Sequence, residues 1–198
     1  MNDAPNRPSR GIRPVAIALT AMAVLAAAAF IKPGRPSLPR RFAEVEPNQI
    51  YRGGYIESEG TVRRLIREHG IRTIISLTED RPELPRVQAE QAVIAEGGLK
   101  YLNFPMPGNG CGRFDALDAA ADALADESNY PLFYRCAAGK QRSNTALAAF
   151  RMKHEGWTIA QALAELDDYG LDRDDEAALC EHLTRYYETC RVRPKDAP

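Results

Sequence analysis

Residues 44–191 predict an α/β domain, a central mostly parallel sheet flanked by helices, and three observations carry that prediction. Short apolar runs of strand composition alternate with longer stretches whose apolar residues recur at helical spacing. Leu132-Phe133-Tyr134 leads through a turn beginning at Cys136 into a helix-forming run with Leu147, Phe150 and Met152, and open α/β sheets bind ligands at such strand ends. No internal repeat is apparent to compete with this reading.

The elements follow in order. A strand near Ile50 precedes a helix over Thr61 to His69 and a strand over Arg72 to Leu77. A helix from Arg86 to Glu96 leads to a strand from Lys100 to Phe104, and a helix from Ala116 to Leu124 to the strand Leu132 to Arg135. Ser143 to Glu155 is the helix behind the cysteine turn. Thr158 with Gln161 makes a capping box for a helix that carries Ile159, Leu163, Leu166 and Tyr169 on one face. A last helix, about Asp174 to Arg191, spaces Leu179, Leu183 and Tyr186 as one apolar face, and Trp157 is expected to anchor the core between the last helices. Residues 192–198 form a short tail.

The N-terminal part has a different character. Residues 1–14 are a basic tail with Arg7, Arg10 and Arg13, residues 15–31 are uncharged and rich in Ala, Leu, Ile and Val, and residues 32–43 are a Pro/Arg linker. Val15 to Ile31 spans about 25 Å as a helix, within the range of a transmembrane anchor. The same run, with Ala27-Ala28-Ala29 near its end, also fits a cleaved signal peptide. A short tail ahead of a first apolar segment usually stays inside, so the expected setting is a single-pass membrane protein with its domain outside the cytoplasm. A net charge of -1 gives no overall drive toward nucleic acid.

The turn Cys136-Ala137-Ala138-Gly139-Lys140-Gln141-Arg142 is where the chemistry concentrates. Backbone N–H groups at a strand-to-helix turn converge on one point, and the helix N-terminus behind them adds positive potential. That cradle fits a phosphate, and it favours the Cys136 thiolate for the same reason. Arg142 offers a planar fork for two phosphoryl oxygens, Gly139 lets the backbone curl, and the Ser143 hydroxyl suits a departing sulfur.

Strand, Cys136, Gly139-Lys140, Arg142, Ser143 and helix in that order resemble the phosphate-binding loop of the protein tyrosine phosphatase superfamily. Tyr51-Arg52-Gly53-Gly54 and the unit from Thr61 through Gly70-Ile71 to Leu77 resemble the opening of dual-specificity phosphatases. Asn103-Phe104-Pro105-Met106-Pro107-Gly108-Asn109 and the three helical segments after the loop are similar to the plant-and-fungal atypical type, and the resemblance covers roughly Glu46 to Tyr187. It implies a cysteine-based phosphatase fold over 44–191 and a phosphatase that needs neither metal nor other cofactor. Cys136 would be the nucleophile, Arg142 the transition-state cation and Ser143 the aid to the leaving thiolate, with residues 137–142 binding phosphate. The implied substrates are phosphotyrosine or other phosphoprotein, or inositol phosphates, and Lys140 would place a second cation at the pocket base.

The chain departs from that pattern twice. Arg135 stands where relatives carry a His before the nucleophile, and its charge is expected to lower the Cys136 pKa without that residue's hydrogen-bond geometry. No carboxylate occurs between Gly97 and Phe114, where relatives carry the general acid. Asp115 is the nearest candidate acid and also a candidate helix cap; Glu79 and Asp80, at the end of an earlier strand, are others. A missing acid favours acidic leaving groups.

The alternative from another class is a catalytically impaired module that binds phosphorylated ligands. A rhodanese-like sulfurtransferase or arsenate reductase shares the cysteine turn, but Gly139-Lys140 and Ser143 argue against it. Cys111, Cys180 and Cys190 show neither a disulfide framework nor metal-ligand spacing, and His69, His154 and His182 are scattered. Cys111 borders the expected pocket and reads as a free thiol, and Cys180 as half-buried packing.

Overall fold

The computed structural model describes residues 36–192. The expected basic tail, the apolar segment 15–31 and the start of the linker lie outside the described residues, as does the end of the C-terminal tail. Among the described residues no helix is long and apolar enough to cross a membrane.

Five strands form one sheet in the order β1-β2-β5-β3-β4. They are β1 (Ala43–Glu46), β2 (Ile50–Gly53), β3 (Thr73–Ser76), β4 (Lys100–Asn103) and β5 (Leu132–Arg135). The pairs β2–β5, β5–β3 and β3–β4 are parallel, and only the edge strand β1 runs antiparallel. The expected mostly parallel sheet is therefore present. β1 is the element that the sequence conceals: its four residues, Ala-Glu-Val-Glu, pack as a half-exposed edge and carry little apolar signal.

Among the described residues six α-helices cover the two faces: α1 (Glu59–His69), α2 (Pro85–Gly97), α3 (Phe114–Ala125), α4 (Gln141–His154), α5 (Ile159–Asp168) and α6 (Ala177–Val192). α1 starts at Ser58, whose side chain accepts from Thr61 N, and ends at Gly70 in the left-handed conformation. The Thr158–Gln161 capping box opens α5 as expected. α6 starts at Ala177, later than the expected Asp174.

Alternation along β5 divides the core. Leu132 and Tyr134 point into the larger cluster with Leu117, Leu147, Leu166, Leu183 and Tyr186, while Phe133 joins Tyr51, Val62, Leu65, Ile74 and Val93 on the other face. α4 is buried from Ser143 to Met152, so its N-terminus is fixed directly behind the cysteine turn. Trp157 is half-buried and does not anchor the core; it covers the Arg151 guanidinium at 4.7 Å, which also pairs with Glu46, Glu155 and Glu165.

Candidate active site

The cysteine turn is held from behind by the end of β2. Cys136 N donates to Gly53 O at 3.4 Å, and Tyr55 N donates to Ala137 O at 3.1 Å. Arg41 Nη1 donates to Ala138 O at 3.0 Å, and Arg52 Nη2 to Gly139 O at 3.1 Å. Asn144 N closes on Lys140 O at 2.7 Å as α4 begins. The carbonyls of residues 137 to 140 are thus all drawn away from the loop centre, which leaves their N–H groups free to face it.

Close approach makes glycine necessary here. Gly139 has φ +68, and a Cβ on it would sit 2.7 Å from Gly53 C and 2.8 Å from Gly54 N. Any larger residue would push the loop off β2.

Arg52 does more than its place in a Tyr-Arg turn suggests. It is fully buried, donates to both Gly139 O and Asn144 Oδ1, and stacks under the Tyr169 ring at 4.1 Å. Its Nε and Nη1 have no hydrogen-bond partner among the described residues. A positive charge is therefore stored directly behind the loop.

Cys136 is 2 % exposed at the floor of the turn. Burial pushes its thiol up, but the Ser143 hydroxyl, the Ser143 and Lys140 N–H groups and the Arg142 charge outweigh burial and bring it below the ordinary thiol range. Ser143 is buried, and apart from Cys136 its hydroxyl has no hydrogen-bond partner among the described residues. Arg142 lines a cleft of about 470 Å³ with Glu79, Pro105, Met106, Pro107 and Gly108, and its Nε is shielded and has no partner among the described residues. Together these groups can bind a tetrahedral oxyanion, offer it a thiolate and stabilise added negative charge.

Three expected site residues stand differently. Arg135 does not lend its charge to Cys136: its guanidinium donates to Glu90 through Nε at 2.8 Å and again through Nη2, and to Thr78 Oγ1 at 3.0 Å. That pair is buried on the opposite side of the sheet, because consecutive residues at the end of β5 face opposite ways. Lys140 supplies the loop with a backbone N–H, while its ammonium pairs with Glu176 Oε2 at 3.3 Å instead of entering the pocket. Asp115 lies in the first turn of α3, one of two partners in a bidentate pair with Arg113, and accepts from Ala116 N at 2.9 Å. It is exposed and does not line the cleft, and the Arg113 hydrogen bonds hold its carboxyl below the usual range, which suits a helix terminus and not a proton donor.

Ala137 and Ala138 lie in the turn between Cys136 and α4, and Gln141 is the first residue of α4; all three are half-buried. Cys111 is a free thiol whose Sγ lies 3.8 Å from Ala178 O, and burial raises its pKa. The residues that sequence reasoning passed over are Arg41, Asn144, Glu90 and Glu176. Each acts across a long sequence separation, which no local pattern signals.

Comparison with known proteins agrees with this geometry. A protein of Yarrowia lipolytica (strain CLIB 122 / E 150) named as a candidate tyrosine-protein phosphatase, OCA1, is 27% identical over 170 residues, 81% of this chain and 62% of its own length. This chain therefore spans less than two thirds of that relative. The core catalytic domain of the PP-IP phosphatase SIW14 from S. cerevisiae has a similar fold, with TM-score 0.59 and 19% identity, over 81% of this chain and 89% of that one. PTPMT1 in complex with PI(5)P also shares the fold, with TM-score 0.62 and 16% identity, over 77% and 97% of the two chains. The model of the tyrosine phosphatase family matches residues 37–196, which include the sheet, the cysteine turn and the six helices α1 to α6 described above, and the chain belongs to that family.

Proposed function

We propose that this phosphatase hydrolyses phosphate esters or anhydrides through a cysteinyl-phosphate intermediate. The observation that carries the reading is the cradle itself: the carbonyls of residues 137 to 140 are tied back around a cysteine whose pKa is lowered. Cys136 Sγ attacks phosphorus, Arg142 and the loop N–H groups hold the three non-bridging oxygens, and water then cleaves the S–P bond. The Ser143 hydroxyl stabilises the sulfur as it departs.

The substrate class that this reading favours is an inositol phosphate or phosphoinositide, with phosphotyrosine as the competitor. SIW14 is described as a PP-IP phosphatase and PTPMT1 was solved with PI(5)P, and both share the fold. Turnover of para-nitrophenyl phosphate, phosphotyrosine peptide and a panel of inositol phosphates ranks the classes. Trapping of a phosphorylated protein by acid quench, lost in Cys136→Ser, tests the intermediate. Turnover that survives Cys136→Ser sinks the mechanism.

The proposed setting is a membrane, with residues 15–31 as a single-pass anchor or signal segment. Carbonate extraction and protease protection of the full chain test it; release of an intact chain into the soluble fraction contradicts the anchor.

A further inference from the structure

Expulsion of an ester oxygen from phosphorus needs a proton unless the leaving group is already acidic. The segment that follows β4 carries no carboxylate from Gly97 to Phe114, and Asp115 is committed to Arg113 and the α3 terminus. For an ester whose leaving group is not already acidic, a proton donor has to come from another wall of the cleft.

The cleft in front of Arg142 has such a wall. Among its lining residues Glu79 is the one carboxylic acid. Leu77 N donates to Arg135 O at 2.9 Å, one residue before the nucleophile, so the carboxyl end of β3 is fixed beside the cysteine turn. Met106 N in turn donates to Leu77 O at 3.2 Å, which brings the Pro105–Gly108 wall against the same strand end. Glu79 follows two residues later, exposed, with no hydrogen bond or ion pair holding its carboxyl among the described residues. Its neighbour is different. Asp80 accepts from Tyr101 Oη at 2.5 Å and from Asn103 Nδ2 at 3.2 Å, which turns it toward β4. One of the two adjacent acids is thus held by the scaffold, and the other is left free in the cleft that the arginine enters.

We infer that Glu79 is the general acid, supplied from the end of β3 in place of the segment after β4. The inference rests on the cysteinyl-phosphate reading. In the first step the Cys136 thiolate forms the S–P bond as the P–O bond to the leaving group breaks; the electron pair goes to the leaving oxygen, which takes the proton of the Glu79 carboxyl. In the second, a water attacks phosphorus and gives one proton to the Glu79 carboxylate while the S–P bond breaks. Thiolate, protonated Glu79 and inorganic phosphate result, so protons and electrons balance. The consequence for substrate class is that esters with weakly acidic leaving groups, aryl and alkyl alike, come within range.

The test is a leaving-group series on the full chain. The kcat/KM values for para-nitrophenyl phosphate, phenyl phosphate, phosphotyrosine and an alkyl phosphate are compared in wild type, Glu79→Gln, Asp80→Asn and Cys136→Ser. Glu79→Gln is expected to lose roughly 10²–10⁴-fold on the phenyl and alkyl esters while para-nitrophenyl phosphate changes little. Asp80→Asn is expected to show no such dependence on the leaving group. A Glu79→Gln loss equal across the series, or no loss at all, overturns the role of Glu79 while Cys136→Ser inactivity keeps the mechanism standing. Turnover that persists in Cys136→Ser overturns both.

Discussion

Arg135 and Glu90 form a fully buried, bidentate ion pair between the last residue of β5 and the middle of α2, with Nε to Oε1 at 2.8 Å and both side chains 2 % exposed or less. Thr78 Oγ1 takes a third donor of the same guanidinium, and the Tyr55 ring lies 5.4 Å from it. The pair fixes α2 to the strand end that leads into Cys136. Removing one partner leaves the other charge buried, a cost of roughly 3–5 kcal/mol. Glu90→Ala is expected to lower the unfolding free energy by about that amount, read from denaturant midpoints. Arg135→His is expected to destabilise as well, because a histidine at 135 leaves Glu90 without its fork. Replacing both by apolar residues of similar volume is expected to recover most of the loss. A Glu90→Ala protein as stable as wild type contradicts the account.

Arg52 ties the loop to the sheet through Gly139 O and Asn144 Oδ1. Hydrogen bonds from a charged group contribute roughly 1.5–3 kcal/mol each. Arg52→Met is expected to lower kcat/KM by about tenfold to 150-fold, in keeping with one such bond lost at the transition state. Gly139→Ala is expected to be worse, since its methyl meets the Gly53–Gly54 backbone. Steady-state kinetics beside circular dichroism separate loop distortion from unfolding.

The three characterised thiol environments have opposite signs. Cys136 lies below the ordinary range despite its burial, whereas burial pushes Cys111 and Cys180 up. A group with a lowered pKa keeps its thiolate as pH falls. Alkylation by iodoacetamide is therefore expected to persist at Cys136 to lower pH than at Cys111 or Cys180, followed by peptide mass spectrometry. Ser143→Ala removes the largest influence that lowers the Cys136 pKa, so its alkylation midpoint is expected to move upward. An unchanged midpoint argues against the serine.

Glu176 neutralises the ammonium of Lys140 while also accepting from Asp172 N at 3.1 Å. A second phosphate on a substrate must compete with that carboxylate for the lysine. Glu176→Gln is expected to lower KM for inositol polyphosphates while leaving KM for para-nitrophenyl phosphate nearly constant. Equal shifts for both substrates would mean that Lys140 does not discriminate.

The cysteine turn was legible because its signal is local. Strand, Cys136, Gly139, Arg142 and helix occupy one continuous stretch, and the capping box at Thr158 and Gln161 is equally local. Helix and strand positions followed from periodicity, with shifts of a few residues at their ends. β1 escaped because an exposed edge strand needs no apolar pattern. The meaning of Arg135 escaped for another reason: its partner lies 45 positions away, and strand alternation decides which face it serves.

The order of residues was enough for the α/β class, for the positions of Cys136 and Arg142 at the two ends of the turn, and for the lack of a carboxylate in the segment after β4. Each of these is a property of residue type and near-neighbour spacing. Tertiary structure decided what those residues work against. It spent the Arg135 charge on Glu90, turned Lys140 to Glu176, paired Asp115 with Arg113 at a helix terminus and set Glu79 in the lining of the same cleft as Arg142. The physical reason is that a charge takes its role from the nearest opposite charge and from its burial, and the packing of distant segments sets both.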